Sequence, residues 1–245
     1  MLKIWDFISS VGYIETGNGA MRIGLFGGTF NPIHNGHLKA IKEVQKGFSL
    51  DKSYLIPSAI PPHKEQGNLV DAKDRMEMIC LAVATCPDLM ESVTVSDVEL
   101  KRKGPSYTID TVCHFKSILP KDSRLYLILG LDAFLEIDTW KSYTDLFMLT
   151  SFIVIPRPGT GSADRSAFLK SIENCLKKSI SYEYNYSSAQ SCYIHPDKQP
   201  VFFFDVNPID ISSTKIRKLI NQGMSIKSLA PGKVEEFIKT KGLYL

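Results

Sequence analysis

The sequence predicts an α/β protein: a Rossmann-like, doubly wound, mainly parallel sheet with a small C-terminal helical part. Three observations predict it. Short apolar runs of strand length alternate along the chain with stretches whose apolar residues recur at helical spacing. The first run, Met21 to Phe26, passes through a glycine-rich turn into a helix, the order of a phosphate-binding unit. Finally, 245 residues suffice for one such domain with a sizeable core, and no internal repeat or low-complexity stretch divides them.

Residues 1 to 20 precede the first strand, and Asp6 interrupts their apolar part, so they lack a signal-peptide layout. They read as an N-terminal extension, with Met21 the natural start and residues 21–245 a single domain; a short appended surface segment is the alternative. Intact mass of the protein from its native source distinguishes the two.

After Met21–Phe26 comes a helix from His37 to Phe48, with Leu38, Ile41, Val44 and Phe48 on one face. Ser53 to Ile56 is the second strand. Asp71 to Cys86 is a helix with Met76, Ile79, Cys80 and Val83 inward. Val93 to Leu100 alternates like a strand and turns back at Lys101-Arg102-Lys103-Gly104. Ser106 suits the N-cap of a helix running to about Leu119. Leu125–Leu129 and Ser151–Ile155 are buried strands. Ser162 to Lys178 is an amphipathic helix with Phe168, Leu169, Ile172 and Leu176 on one side. The polar, tyrosine-rich stretch Ser181 to Gln199 reads as a surface excursion. Val201 to Asp205 is a strand, and Ser212-Ser213-Thr214 opens a helix with Ile216, Leu219 and Ile220 on its apolar side.

Net charge is +3 with no long basic run, which gives no indication of a nucleic-acid partner. No apolar run approaches the roughly 20 residues that span a bilayer. Cys80, Cys86, Cys113, Cys175 and Cys192 form no C-x-x-C pair and are odd in number, which favours a reducing cytoplasm. Cys192 and His195 have metal-like spacing but no second pair beside them.

The chemistry concentrates in Gly27-Gly28-Thr29-Phe30-Asn31-Pro32-Ile33-His34-Asn35-Gly36-His37. Gly27 and Gly28 let backbone approach a ligand, and a helix start offers unpaired N–H groups to a polyphosphate. The G-x-x-x-x-G-K-[ST] pattern of a Walker loop is absent. His34 and His37, three apart, share a face on a helical first turn. There they can donate hydrogen bonds to a phosphoryl group as its charge shifts. Half of a metal site is the competing reading, but no third ligand stands nearby; packing or capping by one histidine is another.

T-F-N-P-I-H-N-G-H resembles the signature of the nucleotidyltransferase superfamily with the HxGH motif. Further segments, in order, resemble the bacterial nicotinate-nucleotide adenylyltransferases. They are Pro61-Pro62-His63-Lys64, Ser106-Tyr107-Thr108 with Asp110-Thr111, Gly130-Leu131-Asp132, Thr139-Trp140 and Arg157-Pro158-Gly159. Ile211 to Arg217 (ISSTKIR) and the tail from Leu229-Ala230-Pro231 to Gly242-Leu243-Tyr244 complete the set, which covers residues 21 to 245. The family carries a small residue where Leu131 stands.

The resemblance implies that ATP is held by Gly27, Gly28, Thr29, Phe30, His34, His37, Gly130, Asp132, Ser212, Ser213 and Arg217. It implies an acceptor site of Thr29, Lys64, Thr108, Trp140 and Arg157. Each role has a physical basis and a plainer rival. Lys64, after two prolines, can meet a phosphate as a point charge or be a solvated loop lysine. Thr108 at a helix start can meet a carboxylate or simply cap. Trp140, one of two tryptophans, can stack on a pyridine ring or sit in the core. Asp132 can accept from ribose hydroxyls or cap a helix. Hydroxyls, N–H groups and Arg217 at the last helix start suit the β- and γ-phosphates.

The implied reaction joins ATP to nicotinate mononucleotide. The acceptor's 5′-phosphate attacks the α-phosphate in line, pyrophosphate leaves, and nicotinate adenine dinucleotide forms. His34, His37, Lys64 and Arg217 are the expected catalytic residues, with His37 foremost. Mg²⁺ comes with ATP, held by phosphates and water rather than a protein cage. Two rivals remain: nicotinamide mononucleotide as acceptor, alone or in dual specificity, and a non-catalytic nucleotide sensor on the same fold.

Overall fold

A computed structural model describes residues 19–61, 69–156, 165–206 and 209–245. The extension 1–18, Lys64, Arg157 and the expected helix start at 162–164 lie outside the described residues. Among those described, eight strands form one sheet in the order β3-β2-β1-β4-β5-β8-β7-β6. The strands are β1 (Arg22–Gly28), β2 (Lys52–Pro57), β3 (Val93–Val95), β4 (Arg124–Gly130), β5 (Ser151–Ile155), β6 (Asn185–Ser187), β7 (Cys192–Ile194) and β8 (Val201–Phe203). β1 pairs in parallel with both β2 and β4, and β3, β5 and β8 continue the parallel sheet outward. The chain therefore winds one way from β1 through β2 to β3 and the other way from β4 onward. The switch lies between β1 and β4, and a ligand crevice opens beyond the carboxyl ends at such a point.

The alternation of side chains along β4 decides which helices cover which face. Leu125, Leu127 and Leu129 point to one core; Tyr126 and Ile128 point to the other. The second core holds α1 (Asn35–Gly47), α2 (Ala72–Ala84), α3 (Pro87–Met90), and the C-terminal pair α9 (Ser213–Asn221) and α10 (Gly232–Lys241). The first holds α5 (Thr108–Ile118), α6 (Leu131–Leu135), α7 (Tyr143–Leu149) and α8 (Arg165–Cys175). The doubly wound sheet and the small helical C-terminal part are as the sequence predicts. No helix among the described residues is long and apolar enough to cross a membrane.

Several local expectations are corrected. The strand expected over Val93–Leu100 ends at Val95; α4 (Val98–Lys101) follows. The reason is Glu99, 7% exposed and hydrogen-bonded to Thr111 Oγ1 at 2.7 Å, so the buried residue there is the charged one. Ser106 does not cap α5; Tyr107 holds the cap position, and Ser106 Oγ accepts from Ala59 N at 2.8 Å. The inward face of α2 is Arg75, Met78, Ile79, Ala82 and Val83, with Met76 and Cys80 only half-buried.

The stretch 181–199 lies largely at the surface, as expected, but it is not irregular. Its β6–β7 hairpin adds two antiparallel strands to the sheet edge. Tyr184, Cys192 and Tyr193 are buried there, and their hydroxyl partners explain how tyrosines suit a core. Tyr184 Oη donates to Gln199 O at 2.8 Å and Tyr193 Oη to Leu169 O at 2.7 Å.

Candidate active site

β1 carries the chain up to Gly27 and Gly28, beside the carboxyl end of β4 at Gly130. A side chain added at Gly27 meets nothing within 4 Å, so this backbone is open to an approaching ligand. Gly28 also makes room for a neighbouring ring. A Cβ there would fall 2.9 Å from the ring of Phe30, which turns back over the loop at φ +46°. Phe30 is 3% exposed and packs edge-on against Phe26 and His37. The glycine loop is thus shaped from beneath by an aromatic plug.

His34 occupies the N-cap position of α1 and His37 follows three residues on. Their rings stack with centroids 3.7 Å apart. His34 is 4% exposed, and burial pushes its pKa down to about 4, so it is neutral at pH 7. His34 N–H donates to His37 Nδ1 at 3.3 Å. With Nδ1 an acceptor, a neutral His37 carries its proton on Nε2 and offers it as a donor.

Behind this loop stands the C-terminal part. Ser212 caps α9, its Oγ accepting from Lys215 N at 3.2 Å. Ser213 Oγ donates to Pro32 O at 2.9 Å, and Arg217 Nη1 donates to Asn31 O at 2.8 Å. Arg217 therefore sits past the first turn, leaning on the histidine loop, with Nη2 donating to Thr214 Oγ1 at 3.2 Å. Asn35 N–H donates to Leu229 O at 2.9 Å, and Tyr244 Oη donates to Asn31 Oδ1 at 2.8 Å. Burial raises the pKa of that phenol, so it stays a donor.

At the carboxyl end of β4, Gly130 holds the N-cap position of α6, and Asp132 lies inside its first turn rather than at the cap. Asp132 Oδ1 lies 2.6 Å from where a Cβ on Gly130 would stand, so its carboxylate sits directly beside the Gly130 backbone. Thr108 is the first residue of α5, and Trp140 is half-buried against the same core. Lys141, next after Trp140, reaches the start of α5: its Nζ lies 4.7 Å over the Tyr107 ring and 3.3 Å from both Asp110 oxygens. Among the described residues, no three His, Cys, Asp or Glu side chains gather into a metal-sized cluster.

Sequence reasoning missed Arg75, Asn31 and Tyr244. Arg75 is fully buried, with each of its three guanidinium nitrogens donating to backbone carbonyls, one of them Thr29 O at 2.7 Å. An arginine one turn into an otherwise apolar-faced helix is its only trace in the sequence. Asn31 and Tyr244 lie inside matched segments but show their contact only across 213 residues.

Residues 25–219 match the model of the cytidylyltransferase-like family. A protein of Desulfatibacillum aliphaticivorans named "probable nicotinate-nucleotide adenylyltransferase" is 44% identical over 227 residues, 92% of this chain and 100% of that protein. One of the same name from Geotalea uraniireducens is 38% identical, over 91% and 98% of the two chains. Among solved structures, the Plasmodium falciparum nicotinic acid mononucleotide adenylyltransferase complexed with NaAD superposes with TM-score 0.68. The alignment covers 91% of this chain and 97% of that one at 18% identity, a likeness of fold.

Proposed function

The chain belongs to the cytidylyltransferase-like family, and on that premise we propose that it acts there as a nicotinate-nucleotide adenylyltransferase. It transfers the adenylyl group of ATP to nicotinate mononucleotide, releasing pyrophosphate and forming nicotinate adenine dinucleotide for NAD biosynthesis. Residues 21–245 are read as its one catalytic domain.

One observation carries the mechanism: the bond from His34 N–H to His37 Nδ1. It makes Nδ1 an acceptor, so that a neutral His37 carries its proton on Nε2, the nitrogen that would donate to an oxygen of the transferring α-phosphate. The attacking phosphate is already an anion, so no general base is needed. The protein's work is alignment and charge stabilisation. Gly27, Gly28, Thr29 and Phe30 cradle the triphosphate; Ser212, Ser213 and Arg217 meet its outer phosphates; Asp132 takes the ribose. Lys64 adds charge between the substrates. Thr108 reads the nicotinate carboxylate, Trp140 stacks on the ring, and Thr29 and Arg157 complete the acceptor site.

The donors gathered at the histidine loop are N–H, imidazole and guanidinium groups, which suit phosphate oxygens rather than a bare cation. Mg²⁺ accordingly arrives as part of the MgATP substrate. All five cysteines are free thiols, which fits a reducing cytoplasm.

The test is pyrophosphate release from MgATP with nicotinate mononucleotide, run beside nicotinamide mononucleotide. Strong preference for the first supports the reading. Equal rates make the enzyme dual-specific. ATP binding with no turnover on either overturns it in favour of a nucleotide sensor.

A further inference from the structure

Arg75 is a charged group buried completely, and its guanidinium meets carbonyls instead of a carboxylate. Nε donates to Val70 O at 2.9 Å, Nη1 to Thr29 O at 2.7 Å, and Nη2 to Ser58 O at 2.6 Å and Ala59 O at 3.3 Å. One planar fork therefore ties three separate stretches of backbone. An apolar side chain would fill this space without the cost of desolvating a cation, and an ammonium, whose three donors radiate from one nitrogen, cannot span the four carbonyls that the three guanidinium nitrogens reach.

The turn after β2 is gripped from its other side too. Ala59 N–H and Ile60 N–H donate to Ser106 Oγ at 2.8 and 3.3 Å, and Ser106 N–H donates to Ile60 O at 3.0 Å. Burial raises the pKa of the Glu99 carboxyl, and hydrogen bonds from the Thr111 and Ser106 hydroxyls pull it back down. Glu99 accepts from Thr111 Oγ1, and Thr111 lies in the first turn of α5, which begins at Thr108. Arg102 Nη2 donates to Thr111 Oγ1 at 3.1 Å and closes the group. A set of buried and half-buried polar contacts thus runs from Thr29 through Arg75 and the turn after β2 to Ser106, which leads directly into α5.

We propose that Arg75 and Ser106 are positioning residues whose shared network holds the nucleotide loop and the acceptor-reading helix in one register. The proposal rests on the reading above for what each end binds. In-line transfer needs the acceptor oxygen about 3–3.5 Å from the phosphorus, and a slip of about 1 Å can cost about 10²-fold in rate. Neither residue touches a reacting atom; each acts through the backbone it fixes.

The test uses the full chain with Arg75→Lys and Ser106→Ala. Turnover per folded molecule should fall at least tenfold in both. The dissociation constants of MgATP and of nicotinate mononucleotide, each measured alone, should stay within about threefold, a split that general loss of stability does not produce. Hydrogen exchange gives a second readout independent of activity. Arg75→Lys should speed exchange of the Thr111 and Val112 amides, which Arg75 does not contact. Turnover within twofold of the unmodified protein in both variants overturns the proposal, and so does unchanged exchange in α5. If the unmodified protein fails to use nicotinate mononucleotide, the functional reading falls while the exchange measurement still decides the network.

Discussion

The imidazole of His34 lies stacked on that of His37, ring centroids 3.7 Å apart and planes 25° from parallel. Two cations could not share that spacing without strong repulsion, and burial keeps His34 neutral. The pair is arranged as one neutral, buried support and one half-exposed donor.

His37→Ala should lower turnover by roughly 10²–10³, the scale for losing one donor to a developing oxyanion. Steady-state pyrophosphate release checks this, with a melting curve to establish that the variant folds. Turnover close to that of the unmodified protein would remove His37 from the mechanism.

His34 makes stability pH-dependent with a definite sign. Its folded pKa, about 4, lies below the unfolded value of 6.5, so between them the unfolded chain binds the extra proton. Its contribution is fully present above pH 6.5 and is lost as pH falls toward 4. The loss between pH 7 and 5 is on the order of 2 kcal/mol. Urea denaturation at the two pH values should show this drop, and His34→Asn should flatten it.

Trp140→Ala should raise the Michaelis constant for nicotinate mononucleotide, since ring stacking is worth roughly 1–3 kcal/mol. The constant for ATP should move little. Initial-rate kinetics with each substrate varied in turn separates the two, and a change confined to ATP contradicts the placement.

Tyr244→Phe removes the hydroxyl that reaches Asn31 Oδ1 across 213 residues. The expected cost is about 1 kcal/mol, a fall of about 2–4 °C in melting temperature. Because Asn31 O also receives Arg217, loosening it should weaken ATP binding more than acceptor binding. Calorimetric titration of the two substrates checks the difference.

Much of the molecule is legible in the residues. Strand and helix periods follow from where water must be excluded, so β1, β2, β4 and β5 fall within a residue or two of their expected bounds. The expectation fails where polar groups are the buried ones. Glu99 breaks the alternation after Val95, and Ser106 gives its oxygen to the β2 turn instead of to α5. Tyr184 and Tyr193 read as surface residues until their hydroxyls find Gln199 and Leu169. A buried polar side chain is stable only beside its partner, and that partner is distant in sequence.

By itself the sequence determined the doubly wound class, the histidine loop at the end of β1, and the residue types able to meet phosphate, carboxylate and ring. Apolar period and short motifs are local properties, readable within a dozen residues. Only the tertiary structure decided that Gly28 makes room for Phe30, that His34 N–H orients the His37 ring, and that Arg75 binds Thr29 to the turn after β2. Those outcomes depend on desolvation and on hydrogen-bond partners brought together by folding, and neither is a property of any segment alone.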